Sequence, residues 1–350
     1  MDRYGMLVNI VLVVKKYRGD NYMKQISRRQ FLKASAAATI GMTALPLFSG
    51  CNMPGSPTYM DQTANNLSIL SRAGFEADQV QVHISGMDRE YHYIVVNDLH
   101  ITIPNEEIRE EMQADVEFRY ENYFINPKGD KAHKLWKRIV KTLNKLDIDG
   151  IILAADMIDF YSEANMACLR EGCEQLKAPF MLLRADHDYT DGYVQATPWE
   201  VIDAAHKTID VHEDVVVIEQ NEFLIVGVNN TTSQLTEAAY HKLEDIFALG
   251  KPIVMVMHVP FASQVEDGLA AASREKWNGL ELLWDYNGFP FYVGEYGERL
   301  LDLVCAPDSP VVEVLAGHLH IPYDGPLTET VHQHVFDASH KGTLGYVIIS

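Results

Sequence analysis

The chain has few cysteines, no long apolar run and no surplus of basic residues, and each absence excludes a class of protein. Its four cysteines, Cys51, Cys168, Cys173 and Cys305, show neither a disulfide framework nor zinc-finger spacing. Cys168 and Cys173 fall in a segment that reads as helix, where a separation of five places them on different faces. No stretch reaches the roughly 20 apolar residues that a membrane-spanning helix needs. The composition, 47% hydrophobic and 22% charged, is that of a globular protein.

Charge is distributed unevenly between the first 50 residues and the rest of the chain. The first 50 contain eight Lys/Arg and two Asp/Glu, whereas the remainder contains 21 basic and 47 acidic residues, a net charge of −26. A body this acidic repels polyanions at long range, so the sequence predicts no nucleic-acid partner. The ordinary interpretation of the acidity is a soluble, salt-tolerant surface.

The beginning of the chain resembles a bacterial export signal. Residues 27–33, Ser-Arg-Arg-Gln-Phe-Leu-Lys, are similar to the twin-arginine motif, with Arg28 and Arg29 as the pair. A weakly apolar stretch from 34 to 50 follows, and it ends in a lipobox-like site at Cys51. The resemblance implies export by the twin-arginine translocase and lipidation of Cys51. We therefore expect a lipoprotein on the outer face of a bacterial cytoplasmic membrane.

Three segments follow from these patterns. Residues 1–51 are predicted to be the leader, with translation beginning at Met23, because export signals have short basic starts. Residues 52–80 are predicted to be a tether and linker, since the segment opens rich in Pro, Ser, Gly and Thr. Residues 81–350 are predicted to form one domain.

Short apolar runs alternate with amphipathic stretches through that domain, which indicates an α/β fold. The predicted helices are Lys131–Leu146, Tyr161–Leu176, Pro198–Ile209 and Leu235–Leu249. The predicted strands are Tyr93–Val96, Gly150–Ala154, Pro179–Leu183, Val215–Ile218, Phe223–Val228, Pro252–Met257, Val311–Leu315, His334–Asp337 and Gly345–Ile349. The alternation favours parallel pairing, and the closing strands read as hairpins, so we expect mixed β-sheets flanked by helices.

Polar residues follow five of the predicted strands. In open α/β sheets, functional groups collect at the carboxyl ends of strands. A single Asp there is commonly only a helix cap, but five ends carrying Asp and His provide ligands for a two-metal site. The five sequences that follow the strands are Asp98-Leu99-His100, Asp156-Met157-Ile158-Asp159, Asp186-His187-Asp188, His258 and Gly317-His318-Leu319-His320.

The order of these five motifs resembles the signature of calcineurin-like metallophosphoesterases. The intervals between Asp98, Asp156, Asp186, His258 and His318 are 58, 30, 72 and 60 residues. The resemblance extends from about Tyr93 to the end of the chain, and it implies a calcineurin-like phosphoesterase sandwich with a dinuclear metal site at the strand ends. The related purple acid phosphatases have a tyrosine in the second motif where this chain has Asp159, which argues against that branch.

The resemblance also implies a role for each motif residue. One metal would be bound by Asp98, His100 and His320, the other by Asp186, His258 and His318, with Asp156 bridging both. His187 would be the general acid, oriented by Asp188, and Asp159 would support a ligand from behind. The implied cofactors are two divalent or mixed-valence transition-metal ions, Mn, Fe, Zn or Ni.

The motifs depart from the family pattern at three positions. Ala155 and Ala185 stand where glycine is usual, and alanine fits only if the backbone avoids positive φ or accepts strain. Asp186 replaces an asparagine, which adds a negative charge and makes the bound metal a weaker Lewis acid.

The implied activity is hydrolysis of a phosphomonoester or phosphodiester, small or membrane-associated, by attack of a metal-bridging hydroxide. The alternative is a non-catalytic metal-binding lipoprotein that retains the fold. A nuclease is a third possibility, which the acidic charge opposes.

Two aromatic-rich stretches lie outside the motifs. The first, from Glu106 to Asn126, contains Phe118, Tyr120, Tyr123 and Phe124 among many acidic residues. The second runs from Trp277 to Tyr296. Packing of an inserted loop onto the domain is the more frequent role of such residues. Stacking on a substrate's base, sugar or aryl group is the alternative.

Overall fold

The computed structural model describes residues 59–210, 214–230, 235–285 and 293–350. The α-helices are α1 (Tyr59–Ala73), α2 (Gln113–Asn122), α3 (Ala132–Leu143), α4 (Glu163–Cys173), α5 (Asp186–Tyr189), α6 (Trp199–Lys207), α7 (Glu237–Phe247), α8 (Gly268–Lys276) and α9 (Gly294–Cys305). Short 3₁₀ turns occupy Glu110–Met112 and Ser339–Lys341. The predictions for the leader, the tether up to residue 58 and the aromatic residues at 286–292 fall outside the described residues.

The strands are β1 (Glu76–Val82), β2 (Tyr91–Val96), β3 (Gly150–Ala154), β4 (Phe180–Leu183), β5 (Val215–Glu219), β6 (Leu224–Val228), β7 (Ile253–Met257), β8 (Val311–Ala316), β9 (Tyr323–Pro326), β10 (His332–Val335) and β11 (Thr343–Ile349). They form two mixed sheets. The first has the order β1-β11-β2-β3-β4, and the second has the order β5-β6-β7-β8-β10-β9. Parallel pairing dominates both, and the antiparallel pairs are β11 with β2, β5 with β6, and β9 with β10.

Three apolar layers hold the sheets and helices together. The sheets pack face to face through side chains such as Val95, Ile152 and Val256. Helices α3 and α4 cover the outer face of the first sheet, while α7 and α9 cover that of the second. Because each central strand is covered on both faces, its residues are almost all buried, which explains the continuous apolar runs in the sequence. The predicted α/β architecture of mixed sheets flanked by helices is confirmed.

The segment predicted as tether and linker, residues 52–80, differs from that prediction from Tyr59 onward. Helix α1 begins there, and β1 pairs in parallel with β11 at the edge of the first sheet. The Asn66 side chain donates to the Asp147 carbonyl at 2.7 Å, which holds α1 to the domain. The signals were weak because β1 is an edge strand that alternates polar residues with few buried ones.

Elements of low apolar content were also missed elsewhere. Strand β9 contains Gly325 and Pro326 at the edge of the second sheet, where a missing N–H is tolerated. Helices α2, α5 and α8 were not predicted, and neither was α9, although five of its residues are buried. Among the described residues, no helix is both long enough and apolar enough to cross a membrane. Cys168 and Cys173 are buried with free thiols.

Candidate metal centre

The five motifs meet because their strands are neighbours. Strands β2, β3 and β4 lie side by side in parallel in the first sheet, so their carboxyl ends share one edge. Strands β7 and β8 are likewise parallel neighbours in the second sheet. The His258 ring lies against the first sheet, with its Nδ1 3.4 Å from the Ala154 carbonyl at the end of β3. The two sheets therefore contribute side chains to one site.

One group of potential metal ligands contains Asp98, His100 and His320. One ligand atom from each residue lies within 4.8 Å of the other two. The Nε2 atoms of His100 and His320 are 3.1 Å apart, and His320 Nε2 is 3.2 Å from Asp98 Oδ1. Asp98 is fully buried and His100 almost fully, whereas the His320 side chain is 15% exposed, so the group reaches solvent through His320.

A second group contains Asp156, His258 and His318. His258 Nε2 is 3.1 Å from Asp156 Oδ2 and 3.2 Å from His318 Nδ1. Asp156 also belongs to a third group, with His100 and His187, and its Oδ2 is 3.8 Å from His100 Nε2. Asp156, a member of the second group, therefore also lies near His100 of the first group, which is the position that a bridging ligand needs.

Several features fit these groups to transition-metal ions. Imidazole and carboxylate are the ligands that Zn, Mn, Fe and Ni take in proteins. Within the described residues, the buried Oδ1 atoms of Asp98 and Asp156 accept no hydrogen bond. Two nitrogens bound to one cation at about 2.1 Å lie about 3.0–3.4 Å apart at bond angles of about 90–110°, and the two His–His contacts fall within that range. The residues therefore fit a dinuclear centre, although its metals are not identified by the geometry.

The orientation of Asp98 is fixed by its neighbours. Its Oδ2 accepts hydrogen bonds from Asn97 Nδ2 at 2.6 Å and from the His318 amide at 2.9 Å, so Oδ1 is directed at the ligand groups. A Cβ on Gly317 would lie 2.5 Å from Asp98 Oδ2. The glycine of the Gly-His-x-His motif is therefore required by close approach.

Backbone strain is concentrated at this site. Eight described non-glycine residues have positive φ, and six of them are ligands or their immediate neighbours: Asp98, His100, Ala155, Asp156, His318 and His320. Ala155 has φ +73°, so it accepts the strain that glycine would avoid, whereas Ala185 has φ −133° and needs no glycine. Such strained residues cluster where function requires a fixed geometry.

His187 is held by Asp159 rather than by Asp188, so the predicted orienting role of Asp188 is wrong. His187 Nδ1 donates to the Asp159 carbonyl at 2.8 Å and is 3.2 Å from Asp159 Oδ1. Asp188 instead accepts from four backbone amides, those of Asp156, Met157, Ile158 and Ala185. Sequence adjacency misled the prediction, because consecutive helical residues point in different directions.

Asp186 was predicted to bind the second metal, but it does not belong to any of the three ligand groups. It is the first residue of α5, and the ionisable groups that act on its carboxyl most strongly are those of Asp156 and His258. Burial, together with the nearby Asp156 carboxylate, raises the pKa of Asp186 to about 7. The structure therefore gives this residue a position beside the second group rather than within it.

The other pKa shifts follow from packing carboxylates and imidazoles together. Burial opposes charge on His258, yet Asp156 and Asp98 outweigh it and raise the pKa of His258 to about 10. Burial and the charge on His258 lower the pKa of His318 to about 3. Protons and metal ions thus compete for the same nitrogens.

Three residues beside the site were not predicted. The Arg119 guanidinium, on α2, donates to both carboxylate oxygens of Asp159. The Phe124 ring stacks on His100 with centroids 4.1 Å apart. His340 Nδ1 donates to the Asp98 carbonyl at 2.9 Å. Of the three, only Phe124 had a signal in the sequence, because it belongs to the first aromatic-rich stretch.

The sequence signal of export is confirmed. Residues 25–45 match the model of the TAT (twin-arginine translocation) pathway signal sequence, which indicates export out of the cytoplasm by the twin-arginine translocase. No curated protein matches the chain in sequence.

Three solved structures, two of them described as phosphatases, are similar to part of the chain. A dimetal phosphatase from Danio rerio matches with a TM-score of 0.46 and 9% identity, over 72% of this chain and 88% of that one. A purple acid phosphatase from yellow lupin (Lupinus luteus) seeds matches with a TM-score of 0.42 and 12% identity, over 75% of this chain and 44% of that one. A protein of Thermus thermophilus, TT1561, matches with a TM-score of 0.35 and 12% identity, over 72% and 91%. Similarity at this level says nothing about activity, which depends on the site itself.

Proposed function

We propose that this chain is an exported metal-dependent phosphoesterase that hydrolyses a small phosphoester. The observation that carries the proposal is the pair of ligand groups joined by Asp156, with His187 beside them. Asp98, His100 and His320 would hold one ion, and Asp156, His258 and His318 the other, with Asp186 adjacent. Two such ions supply stabilisation of phosphoryl charge and activation of water.

The chain's own residues provide the proton that the leaving group needs. The Nδ1–H of His187 is engaged by the Asp159 carbonyl, so Nε2 is the nitrogen free to exchange a proton with substrate. Burial opposes charge on His187, but Asp156 and Asp159 raise its pKa to about 9. Arg119 holds Asp159 in turn, so the ring is oriented by a fixed network. His187 is therefore suited to protonate the leaving oxygen.

Replacement of His187 by alanine tests whether this residue acts as a general acid or as a metal ligand. His187→Ala should leave the metal content intact and lower turnover by roughly 10²–10⁴-fold on alkyl phosphoesters, whose leaving groups need a proton. The loss should be much smaller on aryl phosphates. Metal content and rates would be measured together on reconstituted protein. Loss of metal in this variant would instead make His187 a ligand, as its place in the third group allows.

A non-catalytic metal-binding protein is the second candidate, and the position of Asp186 outside the ligand groups favours it. The two candidates differ in one result. Reconstituted protein that binds two metal ions but hydrolyses no phosphomonoester, phosphodiester or pyrophosphate would establish the second and exclude the first.

We also propose lipidation at Cys51 after export. Cys51→Ala should release the protein from the membrane fraction, whereas Arg28→Lys with Arg29→Lys should retain the precursor in the cytoplasm, because a receptor reads the motif. Cell fractionation and immunoblotting measure both. Membrane attachment that survives Cys51→Ala would rule out the lipid anchor without affecting the proposal of catalysis.

A further inference from the structure

Two large aromatic side chains are exposed beside the metal centre. Phe118 on α2 is 47% exposed and Tyr123, just after α2, is 42% exposed. Their rings meet edge to face, with centroids 5.6 Å apart and an interplanar angle of 86°. Exposed aromatic pairs are costly in water and are frequent where a ligand or partner covers them.

These rings are connected to the metal centre through Phe124. The Phe124 ring stacks on the ligand His100 at 4.1 Å, and the Tyr123 ring is 6.1 Å from that of Phe124. Two ring-to-ring steps therefore lead from a metal ligand to the surface. We refer to Phe118, Tyr123 and Phe124 as the aromatic ledge.

The ledge is held rigidly from below. The Arg119 guanidinium lies 5.6 Å from the Tyr123 ring and 5.3 Å from the Phe124 ring, distances that suit cation–π attraction. Arg119 is itself fixed by Asp159, whose carboxylate is fully buried. The same buried carboxylate thus positions both His187 and the support of the ledge, and a preformed surface loses less entropy on binding.

The backbone at Phe124 supports a specific role for this arrangement. Phe124 has φ +52°, which is rare for a bulky residue. Of the eight described non-glycine residues with positive φ, seven are Phe124 and the six at the metal centre. Phe124, whose ring stacks on His100, thus shares the left-handed backbone conformation of the six residues at the centre, and such residues cluster at functional sites.

We propose that the aromatic ledge stacks on a planar aromatic group of the substrate, either a nucleobase or an aryl group attached to the phosphoester. The proposal rests on the proposed phosphoesterase function, since it places the phosphate at the metal centre and the aromatic group on the ledge. Stacking accepts any flat π-system, which makes the two sources equivalent for the ledge. Exposed acids on α2, such as Glu117 and Glu121, disfavour a polyanionic chain at the same surface.

The test compares substrate pairs that differ only in the aromatic group. Adenosine 5′-monophosphate against ribose 5-phosphate reports a nucleobase, and phenyl phosphate against methyl phosphate reports an aryl group. KM is the informative quantity, because a phenolate leaving group changes kcat by itself. In the double variant Phe118→Ala with Tyr123→Ala, the wild-type preference in KM for the aromatic member of a pair should fall by about 5- to 100-fold, the range for loss of one base–aromatic stack.

Two variants control for folding and for the ring. Leu249→Ala removes an apolar side chain that is more exposed, at 61%, and that precedes the amino end of β7, on the far side from the metal centre. It should leave the preference unchanged. Tyr123→Phe keeps the ring and should also retain it. An equal loss in Leu249→Ala would show a general stability effect and overturn the assignment.

Equilibrium binding separates this proposal from that of catalysis. Calorimetry would compare phenylphosphonate with methylphosphonate, neither of which is hydrolysed, on metal-reconstituted protein. Tighter binding of the phenyl compound that is lost in the double variant supports the ledge even if no phosphoester is turned over. Equal binding of both compounds by the wild type, together with equal KM values within each substrate pair, overturns the ledge while leaving the proposed hydrolysis standing.

Discussion

The candidate metal centre and a second cluster of histidine and carboxylate differ in which atoms their short contacts join. The metal centre brings imidazole nitrogens to face each other, at 3.1 Å and 3.2 Å. Four of the five residues of the second cluster, here called the rim cluster, line a cavity of about 360 Å³. In it every short contact pairs a nitrogen with a carboxylate, as in the 3.1 Å contact from His334 Nε2 to Asp78 Oδ1. The rim cluster consists of Asp78, Glu313, Asp324, His332 and His334.

The metal centre and the rim cluster also differ in backbone conformation. The residues of the rim cluster lie within strands β1, β8, β9 and β10, and none of them has positive φ. His334 joins Asp78 of the first sheet to Asp324 of the second, at 3.1 Å and 3.2 Å. The rim cluster therefore closes the sheet interface with paired charges. Histidine and carboxylate residues in one cluster do not by themselves make a metal site; the convergence of several imidazole nitrogens with carboxylate oxygens does.

The largest expected difference concerns metal binding. Asp156→Asn should lose metal and all of the proposed phosphoesterase activity, because it removes negative charge from the residue that belongs to two of the potential ligand groups. Asp324→Asn, the same change in the rim cluster, should leave metal content unchanged. Elemental analysis of gently purified protein decides between them. Equal metal loss in both variants would show that the rim cluster also binds metal, and the proposed difference between the two clusters would be wrong.

A smaller difference is expected in stability. In Asp188→Asn an amide nitrogen would face two of the four backbone N–H groups that the carboxylate now satisfies, which should lower the free energy of unfolding by about 3 kcal/mol. Glu313→Gln should cost less than about 1 kcal/mol, since its one short contact is to a half-exposed His332. Urea unfolding of the metal-free proteins measures both. Similar losses would show that Asp188 is no more important to the fold than a rim residue.

The smallest expected effect concerns backbone strain at Ala155 compared with Ala185. Ala155→Gly, at φ +73°, should raise the free energy of unfolding by up to about 1 kcal/mol by relieving the left-handed conformation. Ala185→Gly, at φ −133°, should lower it by roughly 0.5–1 kcal/mol, because glycine gains entropy in the unfolded chain. Effects of the same sign in the two variants would contradict the strain at Ala155.

The central strands and the residues that end them were predictable, because each is encoded locally. Apolar runs such as Ile253–Met257 mark strands buried on both faces. The edge strand β1 was not predictable, since pairing with β11 rather than burial of its own side chains makes it a strand. Helix α1 was missed because most of its residues are polar, so a folded segment was interpreted as tether.

The ligand types and their places at strand ends follow from the amino-acid sequence alone. Parallel neighbouring strands must end at a common edge, so Asp98 and Asp156 had to approach each other. The partners of each side chain, by contrast, depend on packing between elements that are distant in sequence. Asp159 rather than Asp188 holds His187, Arg119 holds Asp159 across 40 residues, and His340 donates to Asp98 across 242. These contacts depend on how loops from separate elements pack over the strand ends, and such packing leaves no periodic signal along the chain.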